Sequence, residues 1–207
     1  VEYLATHIAN LRATNPNTAV VSAGDMIGAS PLLSALFHDE PTIEAFNQIG
    51  LDFNAVGNHE FDEGVTELLR MQEGGCHPVD GCLDGDDFAG ASFRFLAANV
   101  VYKHNGKPIF PAYKIRSFQG AKVAFIGMTL EGTPSIVTPS GISGVNFLDE
   151  VETVNALIPR LKQQGIETIV VLVHEGATQV PNTSPYNGCT GISGPIVDIA
   201  NGFDDEV

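Results

Sequence analysis

The sequence predicts an α/β domain of ordinary size, and three observations carry that reading. Apolar runs of strand length, at residues 18–22, 53–56 and 168–173, are separated by segments whose apolar residues recur at helical spacing. Leu4, Ile8 and Leu11 form one such set, Val65, Leu68 and Leu69 another, and Val151, Val154, Leu157, Ile158 and Leu161 a third. Hydrophobic residues make up 43% of the 207, enough to build a core. No apolar run approaches the roughly 20 residues that span a bilayer, so a helical membrane span and a disordered chain are both excluded.

Taken in order, the chain opens in an amphipathic helix that Asn15-Pro16-Asn17 interrupts. Residues 18–22 read as a buried strand running into Gly24-Asp25. Short helices are expected at 32–37 and 41–49, the second with Pro41 near its start, where a missing N–H costs nothing. The strand at 53–56 ends in Gly57-Asn58-His59-Glu60, and a helix follows around 65–69. Residues 74–90 are rich in Gly and Asp, hold two of the three cysteines and read as a surface loop. Residues 93–101 and 112–118 look like strands, and Gln119-Gly120 suggests a hairpin into 122–128. Phe93, Phe95 and Phe125 alternate as core residues do. After a Gly-, Pro- and Ser-rich loop at 133–144, a helix through Val151 and Leu161 ends near Gly165. The strand at 168–173 delivers His174-Glu175-Gly176, and a last helix covers 195–200. There is no internal repeat, and the pattern leaves strand order open.

Charge restricts the partners. Asp and Glu number 25 against 10 Lys and Arg, a formal net charge of −15. Such a surface repels nucleic acid, whose affinity comes largely from Lys and Arg on phosphates, and an anionic membrane for the same reason. An anionic substrate would need another source of positive charge, and bound metal cations are the obvious one. Val1 follows no initiator Met, basic n-region or apolar h-region, so a chain cut from something longer is expected, with no targeting signal to read.

Three predicted strands end in residues that bind metals: Asp25 after the first, Asn58 and His59 after the second, His174 after the last. In α/β sheets the ligand crevice lies beyond the carboxyl ends of the strands, so these residues can converge. Carboxylate, amide oxygen and imidazole together suit a pair of divalent cations that clamp a phosphoryl group. Gly24 and Gly57 would let the backbone turn sharply beside them. On spacing alone, Asp25 also reads as a turn cap, Asp62 as the N-cap of the next helix and His174 as a hydrogen-bonded core histidine.

The strings Gly24-Asp25-Met26-Ile27-Gly28-Ala29-Ser30-Pro31, Gly57-Asn58-His59-Glu60-Phe61-Asp62 and Val173-His174-Glu175-Gly176 resemble those of the calcineurin-like metallophosphoesterases. The closer likeness is to the branch of 5′-nucleotidases, UDP-sugar hydrolases and 2′,3′-cyclic phosphodiesterases. The resemblance implies a four-layer α/β/β/α sandwich and two divalent ions such as zinc or manganese. It also implies hydrolysis of a nucleotide or similar small phosphate ester outside the cell. Asp25 then matches the bridging carboxylate, and Asn58 and His174 match ligands of the second metal. His59 matches the catalytic histidine, and Asp62 matches the partner that orients it.

The sequence departs from the family in two places: no Asp-x-His and no Gly-His-x-His occurs. The expectation is a partial metallophosphoesterase domain over residues 1–207. It would lack the first and last metal motifs and the family's nucleoside-binding domain, hold metal only in part and turn over weakly or not at all. The alternative is a secreted metal- or nucleotide-binding domain without turnover. Substrate-binding residues and oligomeric state are not legible.

Cys76 and Cys82 suit a disulfide in an exported protein, with Cys189 left to a partner further on or free. A zinc site of Cys76, His77, Cys82 and Cys189 is the rival. Asp80, Asp84, Asp86 and Asp87 lack calcium-loop spacing and read as solvated surface. His7, His38, His77 and His104 fit no ligand pattern.

Overall fold

The computed structural model describes residues 1–179 and 190–207, so Cys189 lies outside the described residues. In chain order the elements begin with α1 (Glu2–Thr14), β1 (Val21–Ser22), α2 (Leu32–Ala35), α3 (Glu40–Ile49), β2 (Phe53–Ala55) and α4 (Val65–Glu73). Then come β3 (Arg94–Leu96), β4 (Val100–Tyr102), β5 (Tyr113–Phe118), β6 (Ala121–Thr129) and β7 (Val145–Phe147). The chain closes with α5 (Glu150–Gln163), β8 (Thr168–His174), β9 (Thr178–Gln179), β10 (Ile192–Ser193) and α6 (Pro195–Gly202).

Two three-stranded sheets form the centre. One is parallel in the order β1-β2-β3, with Val21 opposite Phe53 and Phe53 opposite Arg94. The other has the order β5-β6-β8, with β5 antiparallel and β8 parallel to β6, and Thr129 opposite His174. The two sheets pack face to face through Phe53, Ala55, Leu96, Phe125 and Leu172. Behind the first sheet, Ile43 of α3 and Leu68 and Met71 of α4 pack with Phe95 and Val56. Behind the second, Val154, Ile158 and Leu161 of α5 pack on Ala124, Ile126 and Met128. Helix, sheet, sheet and helix thus form four layers, the arrangement expected. A Cβ on Gly127 of β6 would collide with Leu96 of β3, so glycine permits the close approach of the sheets there.

The hairpin is as predicted: Phe118 faces Ala121 across a two-residue turn. Gln119 and Gly120 have φ of 51° and 96°, the left-handed pair that a tight right-twisted hairpin requires. α5 starts where Asp149 accepts the N–H of Glu152 at 2.7 Å.

Three expectations fail for stated reasons. The strand at 18–22 shrinks to Val21–Ser22, and Val21 is 38% exposed, because β1 is the edge of its sheet. In α1 only Ile8 is buried, while Leu4 and Leu11 face solvent. That helix is held instead by Arg12, which donates to Ile49 O at 2.7 Å and to Gly50 O at the end of α3. The strand predicted at 93–101 is two strands, β3 and β4, parted at the fully buried Asn99. Its amide donates to Thr129 O (2.6 Å) and Leu148 O (2.9 Å) and accepts the Thr129 N–H (2.9 Å), turning the chain out of the first sheet to pair with β7.

Candidate active site

Beyond β1, Gly24 (φ 103°) and Asp25 (φ 55°) are both left-handed, which bends the chain back over the end of β2. The bend is pinned by Glu60, a carboxylate only 2% exposed. Its Oε2 accepts the N–H of Asp25 (2.9 Å) and of Gly57 (2.7 Å), and its Oε1 accepts that of Met26 (2.9 Å). Burial pushes the Glu60 carboxyl pKa up, and the three N–H donors pull it the other way. A Cβ on Gly57 would collide with Asp25 Oδ1, so only glycine lets the two loops close to this distance. Glu60 has no assigned role in the sequence reading. The one signal for it is local: a glutamate three residues after Gly57 can reach back to a free N–H, as in a capping box.

The pinned loops aim their side chains at one point. Asp25 Oδ2 lies 3.1 Å from His174 Nε2, and Asn58 Oδ1 lies 3.1 Å from the same nitrogen. His174 Nδ1–H donates to Ala23 O at 2.8 Å, which turns Nε2 toward the two oxygens. Asp25 Oδ1 accepts the His59 N–H at 3.0 Å. His59 Nδ1–H donates to Asp62 Oδ2 at 2.7 Å. That bond is the main reason the His59 imidazole pKa lies above its ordinary value; burial opposes it, and the carboxylates of Asp25 and Glu60 add to it. Asp25 and His59 open into a cleft of about 220 Å³ that is also lined by Ser30, Pro31 and Thr42.

All five residues singled out from the sequence are therefore neighbours. The crevice is not the edge of one sheet, as the strand-end argument supposes, but the seam between two. Asp25 and Asn58 follow strands of the first sheet, and His174 ends β8 of the second. Asp62 does not cap α4, since Gly64 occupies that position. Two oxygens that each lie 3.1 Å from one imidazole nitrogen need a cation or a proton between them and it. The donor set of one carboxylate, one amide oxygen and one imidazole fits a divalent ion.

Cys76 and Cys82 form the expected disulfide, with Cα atoms 4.7 Å apart. The rival zinc site is thereby overturned, because both sulfurs are consumed in the bond. Asp80 is no bystander on an acidic surface either, since it meets His38 and His77, and those two imidazoles stack.

With this geometry established, the likenesses to known proteins take on meaning. No protein-family model matches the chain. It is 40% identical over its whole length to Endonuclease YhcR of Bacillus subtilis, of which it spans 16%. It is 32% identical over 188 residues to a 5′-nucleotidase of Vibrio cholerae, covering 90% of this chain and 30% of that protein. The solved calcineurin-like phosphoesterase YfkN of Bacillus subtilis superposes with a TM-score of 0.69 at 27% identity, over 97% of this chain and 60% of that one. The fold is that of the calcineurin-like phosphoesterases, and the chain's relatives include 5′-nucleotidases and phosphoesterases. Divalent metals are what that likeness implies.

Proposed function

We propose that this chain forms part of a metal-dependent phosphoesterase that acts outside the cell on a nucleotide or similar small phosphate ester. The observation that carries the reading is the convergence of Asp25, Asn58 and His174 beside the His59–Asp62 pair. Asp25, Asn58 and His174 would hold a divalent ion. Bound ions supply local positive charge and acidify coordinated water, which suits an anionic substrate on a chain of net charge −15.

The residues then divide the work. Asp62 holds His59 Nδ1 and leaves the other ring nitrogen for the cleft, where it donates to a phosphoryl oxygen as negative charge develops. Glu60 positions both ligand-bearing loops. Neither Asp-x-His nor Gly-His-x-His is in the sequence. We therefore place the further ligands expected for a second ion, and the nucleoside-binding part, in flanking sequence, in keeping with the 16% and 30% of its relatives that the chain spans. The disulfide supports an oxidising compartment. Although one relative is named an endonuclease, the net charge favours small phosphate esters over a polyanion.

AMP hydrolysis in manganese tests this, using both this chain and a version extended by flanking sequence. The extended protein should be the faster, and His59→Ala should lower its rate about 10²- to 10⁴-fold. An unchanged rate in His59→Ala, or metal and nucleotide binding with no turnover in the extended protein, overturns the reading.

A further inference from the structure

Away from the cleft, α3, α4 and the disulfide loop bring two histidines and four carboxylates together. His38 and His77 stack with ring centroids 3.9 Å apart and planes 11° from parallel. Each ring presents one nitrogen to each of two opposite edges. At one edge, Asp80 Oδ2 lies 3.1 Å from His38 Nε2 and 3.3 Å from His77 Nδ1. At the other, Glu63 Oε2 is 2.7 Å from His38 Nδ1 and Glu67 Oε2 is 4.0 Å from His77 Nε2. The Asp80 N–H donates to His77 Nδ1 at 3.1 Å, which marks Nδ1 as the lone-pair nitrogen of that ring. Glu67 is itself gripped by Arg70, whose guanidinium also pairs with Glu40 at 2.5 Å.

We propose that His38, His77 and Asp80 form a second, separate site for a divalent transition cation of the zinc class. Nothing in it depends on the phosphoesterase reading. His38 Nε2, His77 Nδ1 and one Asp80 oxygen already lie within 4.8 Å of one another, and both rings are about 15% exposed. The far nitrogen of His38 meets Glu63 at 2.7 Å, the carboxylate–histidine arrangement that fixes tautomer and basicity in metal-ligating imidazoles, while Glu67 stands 4.0 Å from that of His77. The cluster holds four carboxylates against one guanidinium, and that guanidinium pairs with Glu40 and Glu67, so Glu63 and Asp80 leave excess negative charge beside the two rings.

Two protein nitrogens and one carboxylate leave an open fourth position on a tetrahedral ion. Binding requires the stacked rings to tilt at the Asp80 edge, and the ion displaces the Asp80 N–H from His77. It would clip the loop closed by Cys76–Cys82 to the turn at His38-Asp39. Asp39 of that turn accepts the Gly28 N–H at 2.8 Å and the Ser30 hydroxyl at the cleft, so the ion would stiffen one wall of the active site.

Equilibrium dialysis of the intact chain against Zn²⁺ alone decides the matter. His77→Gln and His38→Gln should each bind one ion fewer per chain than the parent, while Asp25→Asn should retain this ion. Equal stoichiometry in the parent and both histidine variants overturns the proposal and leaves a stacked pair that binds only protons. If a variant fails to fold, imidazole ¹⁵N shifts of the unmodified chain replace it. Zn²⁺ should move His38 Nε2 and His77 Nδ1, and unmoved signals at both overturn the site.

Discussion

At the scale of single residues, the site depends on a buried carboxylate that touches no substrate. Glu60 saturates three backbone N–H groups in two loops with two oxygens. Glu60→Gln replaces one oxygen by a donor and sets N–H against N–H. Chemical denaturation should show a loss of about 1–3 kcal/mol, the cost of buried donors without acceptors. Gly57→Ala places a methyl against Asp25 Oδ1. It should cost about 1–3 kcal/mol as overpacking and weaken metal binding, since Asp25 must move to make room. Asp25, Asn58, His59, Asp62 and His174 were all legible from residue type, from position after strands and from the wording of the motifs. Glu60, His38 and His77 were not: Glu60 reaches across to Asp25 and Met26 as well as to nearby Gly57, and His38 and His77 meet each other, Glu63 and Asp80, at sequence separations that periodicity does not reach.

At the scale of elements, buried polar side chains set the boundaries that hydrophobic pattern misplaces. An apolar run through residues 93–101 looks like one strand, and only the three hydrogen bonds of Asn99 divide it. The start of α5 involves Glu150, which is buried and accepts the Glu131 N–H at 2.7 Å. Burial raises its pKa above the usual carboxylate value, and the hydrogen bonds oppose this only in part. A raised folded-state pKa means that the folded protein binds the proton more tightly. The stability gained is full below the unfolded value near 4.5 and is lost as pH rises through the folded value. The stability of the parent relative to Glu150→Gln should therefore fall over that window and level off above it, as read from urea midpoints. The Cys76–Cys82 bond closes a short loop. Reduction or the double serine variant should cost about 2 kcal/mol by freeing the unfolded chain.

At the scale of the molecule, the two sheets are the device that gathers the site. α/β alternation was readable from the pattern, and the two stacked sheets from the family resemblance, but strand order was not, because it depends on contacts such as Leu96 against Gly127. Placing β8 in the second sheet brings His174 within 3.1 Å of Asp25. The seam between the sheets, and not one sheet's edge, is where the chemistry lies. The central claim is that Asp25, Asn58 and His174 hold one divalent cation next to His59. Paramagnetic broadening by sub-stoichiometric Mn²⁺ in ¹H–¹⁵N spectra tests this most directly. The account predicts early loss of the Gly24, Asp25, Gly57 and His59 amide signals, and their recovery in His174→Ala, with affinity down about 100-fold or more. Broadening confined to the acidic loop around Asp84 and Asp86, or unchanged in His174→Ala, would contradict it.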